Sequence, residues 1–311
     1  MGIKIIKPEI YLGNKKISTI SISNKYKSQI KNKIGSKYVH IETKKNILEM
    51  ATFVAKKLLK KEKLSAEFLI FVSQGQDKIF PSAAEKLAEN LNLSKNTLVV
   101  TLSSGCSGFV QALILSDSLL KTKYKNGLIV CAEKYSKYME KNNVKTRLLF
   151  SDAASATLVL RSNQENILGI DHGYNGSDSD SLKVDDLTGK NLLTMDGSKV
   201  FLFGISTIPE SIKKLNKSNH VDKYLIHNGS KIMLDTIIKK SNILLYKKNL
   251  SENEEIKNRN VINSFNITGN TISSSIPLLV NISYNELIGK NVLMSGFGVG
   301  LSWASILIKW I

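Results

Sequence analysis

Short apolar runs that alternate with helix-patterned segments constrain this chain more than any other feature. Residues 97–102 read as a strand, and residues 68–72 (Phe-Leu-Ile-Phe-Val) and 128–132 (Leu-Ile-Val-Cys-Ala) are too short for buried helices and too continuously apolar for strands wetted on one face. They read as strands covered on both sides. Between them, residues 45–61 place Ile47, Met50, Ala51, Val54 and Leu58 at helical spacing. Pro81-Ser82-Ala83-Ala84-Glu85 opens a second helix with the proline in its first turn, and a third runs from Phe109 towards Lys121. Residues 10–22 read as extended, and 156–160 as a further strand. This alternation is that of βαβ units in an α/β fold with a largely parallel sheet.

The second half repeats the plan. Residues 201–214 predict a helix, 224–226 a strand ending at His227, and 231–240 another helix. A helix follows Asn270-Thr271 through Ser275, and a strand at 291–295 enters Gly296-Phe297-Gly298-Val299-Gly300 before a last strand at 302–308. Residues 104–113 and 268–279 share one grammar: a reactive polar residue on a glycine-containing loop just before a helix. That points to two duplicated halves, 1–162 carrying a cysteine and 163–311 carrying a histidine and an asparagine. Residues 183–190 and 248–259 read as polar surface loops.

Composition narrows the function classes. The net charge is +18, yet only three of the 44 basic residues are arginines (Arg147, Arg161, Arg259). Base recognition leans on the bidentate arginine fork, so lysines spread along the whole chain argue against a nucleic-acid binder. They suit an acidic partner, such as an acyl carrier protein or a phosphorylated small molecule. Two cysteines, Cys106 and Cys131, exclude a disulfide framework and a cysteine-built zinc cluster. The amino terminus has no apolar core of a signal peptide, Gly2 lacks a myristoylation context, and no apolar run approaches the ~20 residues of a membrane span. A soluble, cytoplasmic protein without membrane contact is the expectation.

Cys106 is the sharpest chemical feature. It sits in Ser104-Gly105-Cys106-Ser107-Gly108, on a loop that feeds a helix whose N-terminus would favour the thiolate. Cys131, inside an apolar strand, reads as a buried small hydrophobe. Of four histidines, His227 alone lies at a strand end, where sites in parallel sheets are built; His40, His172 and His220 read as surface residues. Asn270 fits either a turn or cap residue or, with Cys106 and His227, a nucleophile set. Asp152, among small residues, is expected to tie loops together. The glycine run at 296–300 lacks the lysine of a phosphate loop and could instead present backbone N–H groups to an oxyanion.

With these pieces in order, the chain resembles the thiolase-fold condensing enzymes of the 3-oxoacyl-acyl-carrier-protein synthase III branch. The matching motifs are Gly35, Phe80-Pro81-Ser82-Ala83-Ala84, Ser104-Gly105-Cys106-Ser107-Gly108-Phe109, Leu149-Phe150-Ser151-Asp152-Ala153, Met195-Asp196-Gly197, His227-Asn228, Gly269-Asn270-Thr271 and Gly296-Phe297-Gly298. The resemblance implies a five-layered αβαβα fold and a homodimer, with no bound cofactor and no metal. It implies that Cys106 takes an acyl group from an acyl-ACP or acyl-CoA thioester, and that His227 and Asn270 hydrogen-bond the carbonyl of a second, malonyl-type thioester as it loses CO₂. The backbone of Cys106, Gly298 and Val299 would form the oxyanion hole. Phe80 would reach across the dimer to the partner's acyl pocket, and Lys213, Lys214, Lys239 and Lys240 would greet a carrier protein.

Several positions depart from the family pattern. Gln29 and Val144 stand where a Trp and an Arg sandwich the adenine of coenzyme A. Ser230 replaces an Asn, Ile232 an Arg, and Val299, Ala153 and Ser155 replace glycines. These departures suit an accessory or specialised pathway. Two other readings remain: transfer of the Cys106-bound acyl group to a hydroxyl or amine of a sugar or other metabolite, and a non-catalytic module that binds carrier protein.

Overall fold

The computed structural model describes residues 1–25, 31–78, 80–140, 142–185, 192–217, 219–243 and 260–311. Strands β1 (Gly2–Ile5), β2 (Glu9–Leu12) and β3 (Lys15–Ser18) lead to helices α1 (Thr19–Lys25) and α2 (Lys31–Ile34) and to β4 (Tyr38–Ile41). Next come α3 (Ile47–Glu62), β5 (Phe68–Val72), α4 (Ala84–Asn90), β6 (Leu98–Leu102), α5 (Gly108–Lys121), β7 (Asn126–Glu133), α6 (Val144–Leu149) and β8 (Ala153–Ser162). The chain continues through β9 (Ile167–Tyr174), β10 (Leu182–Asp185), β11 (Leu192–Met195), α7 (Gly197–Asn216), β12 (Lys223–Ile226) and α8 (Lys231–Lys240). It ends with α9 (Ser275–Leu287), β13 (Asn291–Gly298) and β14 (Ser302–Lys309).

Two sheets organise these elements. The first has the order β1-β8-β7-β5-β6, with β2 also paired to β8; the second has the order β12-β13-β14-β9. Helices α5 and α9 lie between them. One continuous core joins Ile70 and Ile129 of the first sheet, Phe109 and Leu113 of α5, Ile276 and Leu279 of α9, and Met294 and Ile306 of the second sheet. Helices α3 and α4 cover the outer face of the first sheet, and α7 and α8 that of the second. The layers run α-β-α-β-α, as the thiolase resemblance implies. Every residue of β5 is buried because helices cover both of its faces, which explains its unbroken apolar run.

Several local expectations change. The first sheet is mixed: β5 runs parallel to β6 and β7, whereas β8 is antiparallel to β7, β1 and β2. Among the described residues the link from β7 to β8 carries a 3-10 turn, Tyr135–Tyr138, and the six-residue α6, which packs on α1 and β4, so no long helical crossover returns the chain in parallel. The extended stretch ends at Ser18, and Thr19 opens α1. Pro81 precedes α4 rather than opening it: the helix begins at Ala84, where Ser82 Oγ accepts the Ala84 N–H at 3.0 Å. Lys183 lies in β10, not in a loop, and Gln29, most of 183–190 and 248–259 lie outside the described residues. His172 is on β9, exposed. His40 is buried, not on the surface: its Nδ1 lies 3.0 Å from Thr268 Oγ1, and burial lowers its pKa to about 4. Among the described residues no helix is long and apolar enough to cross a membrane.

Candidate active site

Cys106 occupies a 3-10 turn, Gly105–Ser107, between β6 and α5. Gly105 has φ +49°, and a Cβ there would lie 2.5 Å from Gln74 Oε1, so glycine is what lets the turn close onto Gln74. Ser107 Oγ donates to Ser104 O at 3.0 Å and lies 2.9 Å from Ser302 Oγ, which pins the turn to β14. The end of β13 presses on the turn from the second sheet. A Cβ on Gly296 would lie 2.5 Å from Cys106 O, and one on Gly298 would lie 3.0 Å from both Cβ and Sγ of Cys106. The glycine run at 296–300 thus serves close approach of two chain segments.

The electrostatics at Cys106 oppose one expectation. The backbone N–H groups of Cys106 and Val299 both reach Sγ and favour the thiolate. Burial outweighs them and pushes the thiol up, with the nearby Glu133 carboxylate adding to the effect. The helix proper starts only at Gly108, so its N-terminus does not reverse this. In the resting protein Cys106 is a thiol at neutral pH. Cys131 is pushed up by the same burial and by Glu133, against hydrogen bonds from Ser155 and Ser273.

His227 follows β12 directly, and its backbone N–H donates to Ser295 O at 2.8 Å. Its ring meets Phe297 edge-on, with centroids 5.5 Å apart and an interplanar angle of 89°. Burial lowers its pKa to about 3, so the imidazole is neutral, and Nδ1 has no hydrogen-bond partner among the described residues. Phe297 and Gly298 are neighbours on β13: one contacts His227, the other Cys106. Asn270 reaches the same region from the third side. It forms an isolated bridge with Phe150, and Ile272 N–H donates to its Oδ1 at 2.8 Å, leaving the amide NH₂ as the donor end. Asn270 is therefore a turn residue and an oriented donor at once. The 3-10 turn that follows it, Ile272–Ser274, packs on the Cys106 turn, and Cys106, Phe150, Ile272, Tyr135, Leu182 and Leu193 form one apolar cluster. None of the three polar side chains hydrogen-bonds another.

The neighbouring motif positions have local roles. Asn228 donates to Ile226 O at 2.7 Å and accepts Ser264 N–H at 2.8 Å. Ser230 caps α8 through the Met233 N–H. Asp152, fully buried, accepts the backbone N–H groups of Glu42 at 2.7 Å and Ser136 at 2.9 Å, tying loops as expected. Val144 packs against the apolar cluster of Ile22, Ile34, Val39 and Leu148. Phe80 lies apart from Cys106 in the single chain, 82% exposed. Lys213 pairs with Glu210 at 2.9 Å and Lys214 with Asp171 at 2.5 Å; Lys239 and Lys240 are exposed in the last turn of α8. Among the described residues no three His, Cys, Asp or Glu side chains are grouped to hold a metal ion.

One group near Cys106 escaped the sequence reasoning. Glu133, the last residue of β7, is fully buried, and burial raises its pKa to about 8. It follows an apolar run directly, as His227 does, and that strand-end position was its only signal.

Comparison with known proteins follows the same lines. The family model of 3-oxoacyl-[acyl-carrier-protein (ACP)] synthase III matches residues 100–176, and its C-terminal counterpart matches 213–310. The beta-ketoacyl-[acyl-carrier-protein] synthase III of Streptococcus sanguinis is 30% identical over 303 residues, covering 90% of this chain and 89% of that protein. The solved 3-oxoacyl-[acyl-carrier-protein] synthase III of Aquifex aeolicus superposes with a TM-score of 0.86 at 26% identity, covering 99% of this chain and 100% of that one. The corresponding Pseudomonas aeruginosa structure gives a TM-score of 0.88 at 21% identity over 100% and 98% of the two chains, a likeness of fold.

Proposed function

The chain belongs to the 3-oxoacyl-[acyl-carrier-protein] synthase III family, and from that premise we propose that it is a condensing acyltransferase built around Cys106, His227 and Asn270. Cys106 Sγ attacks the carbonyl carbon of an acyl thioester. A new S–C bond forms, the donor's C–S bond breaks, and the donor leaves as a thiol carrying the proton that Cys106 gives up. The oxyanion of the tetrahedral intermediate accepts hydrogen bonds from the backbone N–H groups of Cys106 and Val299, beside Gly298. A malonyl-type thioester then loses CO₂, and the electron pair of the broken C–C bond becomes an enolate. Its carbon attacks the acyl-Cys106 carbonyl, and the Cys106 C–S bond breaks as the new C–C bond forms.

What supports this reading is that both His227 and Asn270 offer neutral donors: a buried imidazole with its pKa lowered to about 3, and an amide NH₂ left free by the Ile272 N–H bond to Oδ1. Neutral donors stabilise a developing enolate without first binding the substrate's carboxylate as an ion pair. Simple transfer to a hydroxyl or amine has less use for such a pair.

Carrier protein is the proposed donor and acceptor scaffold. Val144, in the place of an adenine-clamping arginine, is part of an apolar cluster and offers no cation. Lys239 and Lys240 offer exposed charge on α8, whereas Lys213 and Lys214 are engaged by carboxylates. The proposed working unit is a homodimer of two-half subunits (1–162 and 163–311), in which the exposed Phe80 enters the partner's acyl pocket.

Intact-protein mass spectrometry with acyl-CoA and acyl-carrier-protein donors tests this, with Cys106→Ser as control. The expected result is an acyl adduct on Cys106 from the carrier protein, and a 3-oxoacyl product once malonyl-carrier protein is added. No adduct from any donor would refute the reading.

A further inference from the structure

We propose that Glu133, a residue outside the nucleophile, histidine and asparagine set, is a positioning residue for the condensation: its buried carboxyl group holds the Cys106 turn and the Asn270 turn in one register. The inference rests on the condensing role proposed above.

A chain of contacts carries it. Glu133 Oε1 accepts the Gln74 N–H at 3.2 Å and the Ser273 hydroxyl at 3.3 Å; Oε2 shares the Gln74 N–H at 3.3 Å. Gln74 braces the start of the nucleophile turn. Its Nε2 donates to Ser103 O at 3.4 Å, and its Oε1 sits where a Cβ on Gly105 would be 2.5 Å away. The same Oε1 accepts the Tyr135 hydroxyl at 2.8 Å. On the other side, Ser273 belongs to the 3-10 turn whose Ile272 N–H fixes Asn270 Oδ1. One carboxyl group thus joins two turns whose named residues, Cys106 and Asn270, lie 164 positions apart in the chain.

Burial rather than a cation sets the state of Glu133. Among the described residues no lysine or arginine pairs with it, and Lys137 donates to Gly75 O at 2.6 Å instead. Burial raises its pKa to about 8, so at neutral pH it is largely the neutral acid. A neutral carboxyl group still offers acceptor oxygen to the Gln74 N–H and the Ser273 hydroxyl, without the cost of a buried, unpaired charge.

The test reads the brace through its two arms. Condensation kinetics and single-turnover acylation of Cys106 are measured in the full-length wild-type protein, Glu133→Gln, Glu133→Ala and Ser273→Ala. Glu133→Gln keeps an acceptor oxygen and is expected to retain most of the wild-type kcat. Glu133→Ala and Ser273→Ala are expected to lower kcat roughly tenfold with KM little changed, a split that a loss of substrate binding would not give, and the glutamine variant is the conservative rescue. An unchanged kcat in a folded Glu133→Ala overturns the proposal. Should that variant not fold, Ser273→Ala decides, and an unchanged kcat there overturns it. Failure of the wild-type protein to take any acyl group would instead refute the parent reading.

Discussion

Gly298 stands so close to Cys106 that a methyl group on it would lie 3.0 Å from both Cβ and Sγ of the cysteine. The last residue of β13 is thus fitted to Cys106, and the N–H of the next residue, Val299, reaches Sγ. Gly298→Ala is expected to displace the thiol from that N–H. Acylation of Cys106 should slow by roughly tenfold or more, the equivalent of ~1.4 kcal/mol in the barrier. Single-turnover acylation followed by mass spectrometry measures this; an unchanged rate would contradict a tight fit between strand and nucleophile.

His227 is held neutral by burial, with its pKa near 3. Its donor role should then be insensitive to pH across the neutral range. Release of CO₂ from a malonyl thioester, which does not use the thiol as nucleophile, is expected to stay flat between about pH 5 and 8. His227→Ala should lower that release by about 100-fold, the usual scale for removing one donor to a developing oxyanion. A titration midpoint near 6.5 in the wild-type profile would contradict the buried, neutral imidazole.

Much of this was legible from the sequence, and the failures share a cause. The runs at 68–72 and 128–132 announce strands because both faces are covered, and α8 is found at its expected bounds, 231–240, because its apolar face is regular. Cys106, His227 and Asn270 are legible as loop and strand-end residues; the end of β13 touches Cys106 through Gly298 and His227 through Phe297, while the turn after Asn270 packs on the Cys106 turn. The burial of His40 was not visible, because its partner Thr268 is 228 residues away. Glu133 is not legible because a carboxylate at the end of an apolar run looks like the strand's exit into water; its burial depends on distant chain, including the 272–274 turn that bonds it through Ser273. The strand β9 was missed since its exposure alternates residue by residue and glycines dilute the pattern. Local periodicity is written in neighbouring residues, whereas burial depends on what the far chain lays on top.

Asp152 offers a check on a structural role close to the site. Its carboxylate accepts from the backbone N–H groups of Glu42 and Ser136 and from the Ser136 hydroxyl. Asp152→Ala strands three buried donors and is expected to cost about 3 kcal/mol of stability. Asp152→Asn keeps the acceptor oxygen and should cost less. Urea denaturation of both variants measures the difference; an alanine variant as stable as wild type would refute the tie.

Stability against pH follows from three buried groups. His40 and His227 are held near 4 and 3, below the 6.5 of an exposed histidine. Below about pH 6.5 the unfolded chain takes up protons that the folded protein refuses, so the stability present above that value is lost as the pH falls towards 4. Glu133 acts in the opposite sense. Its carboxyl stands at about 8 when folded, against 4.5, so the folded protein keeps a proton that the unfolded chain gives up, and stability falls as the pH rises through that window. Each unit of difference is worth about 1.4 kcal/mol. Two histidines outweigh one carboxyl in the acid range, and the carboxyl acts alone above neutrality, so the denaturation midpoint should peak near pH 6.5. In Glu133→Gln the alkaline decline from pH 6.5 to 8 should vanish while the acid decline remains. Urea midpoints at half-unit intervals test this, and an equally steep alkaline decline in the variant would place the titrating group elsewhere.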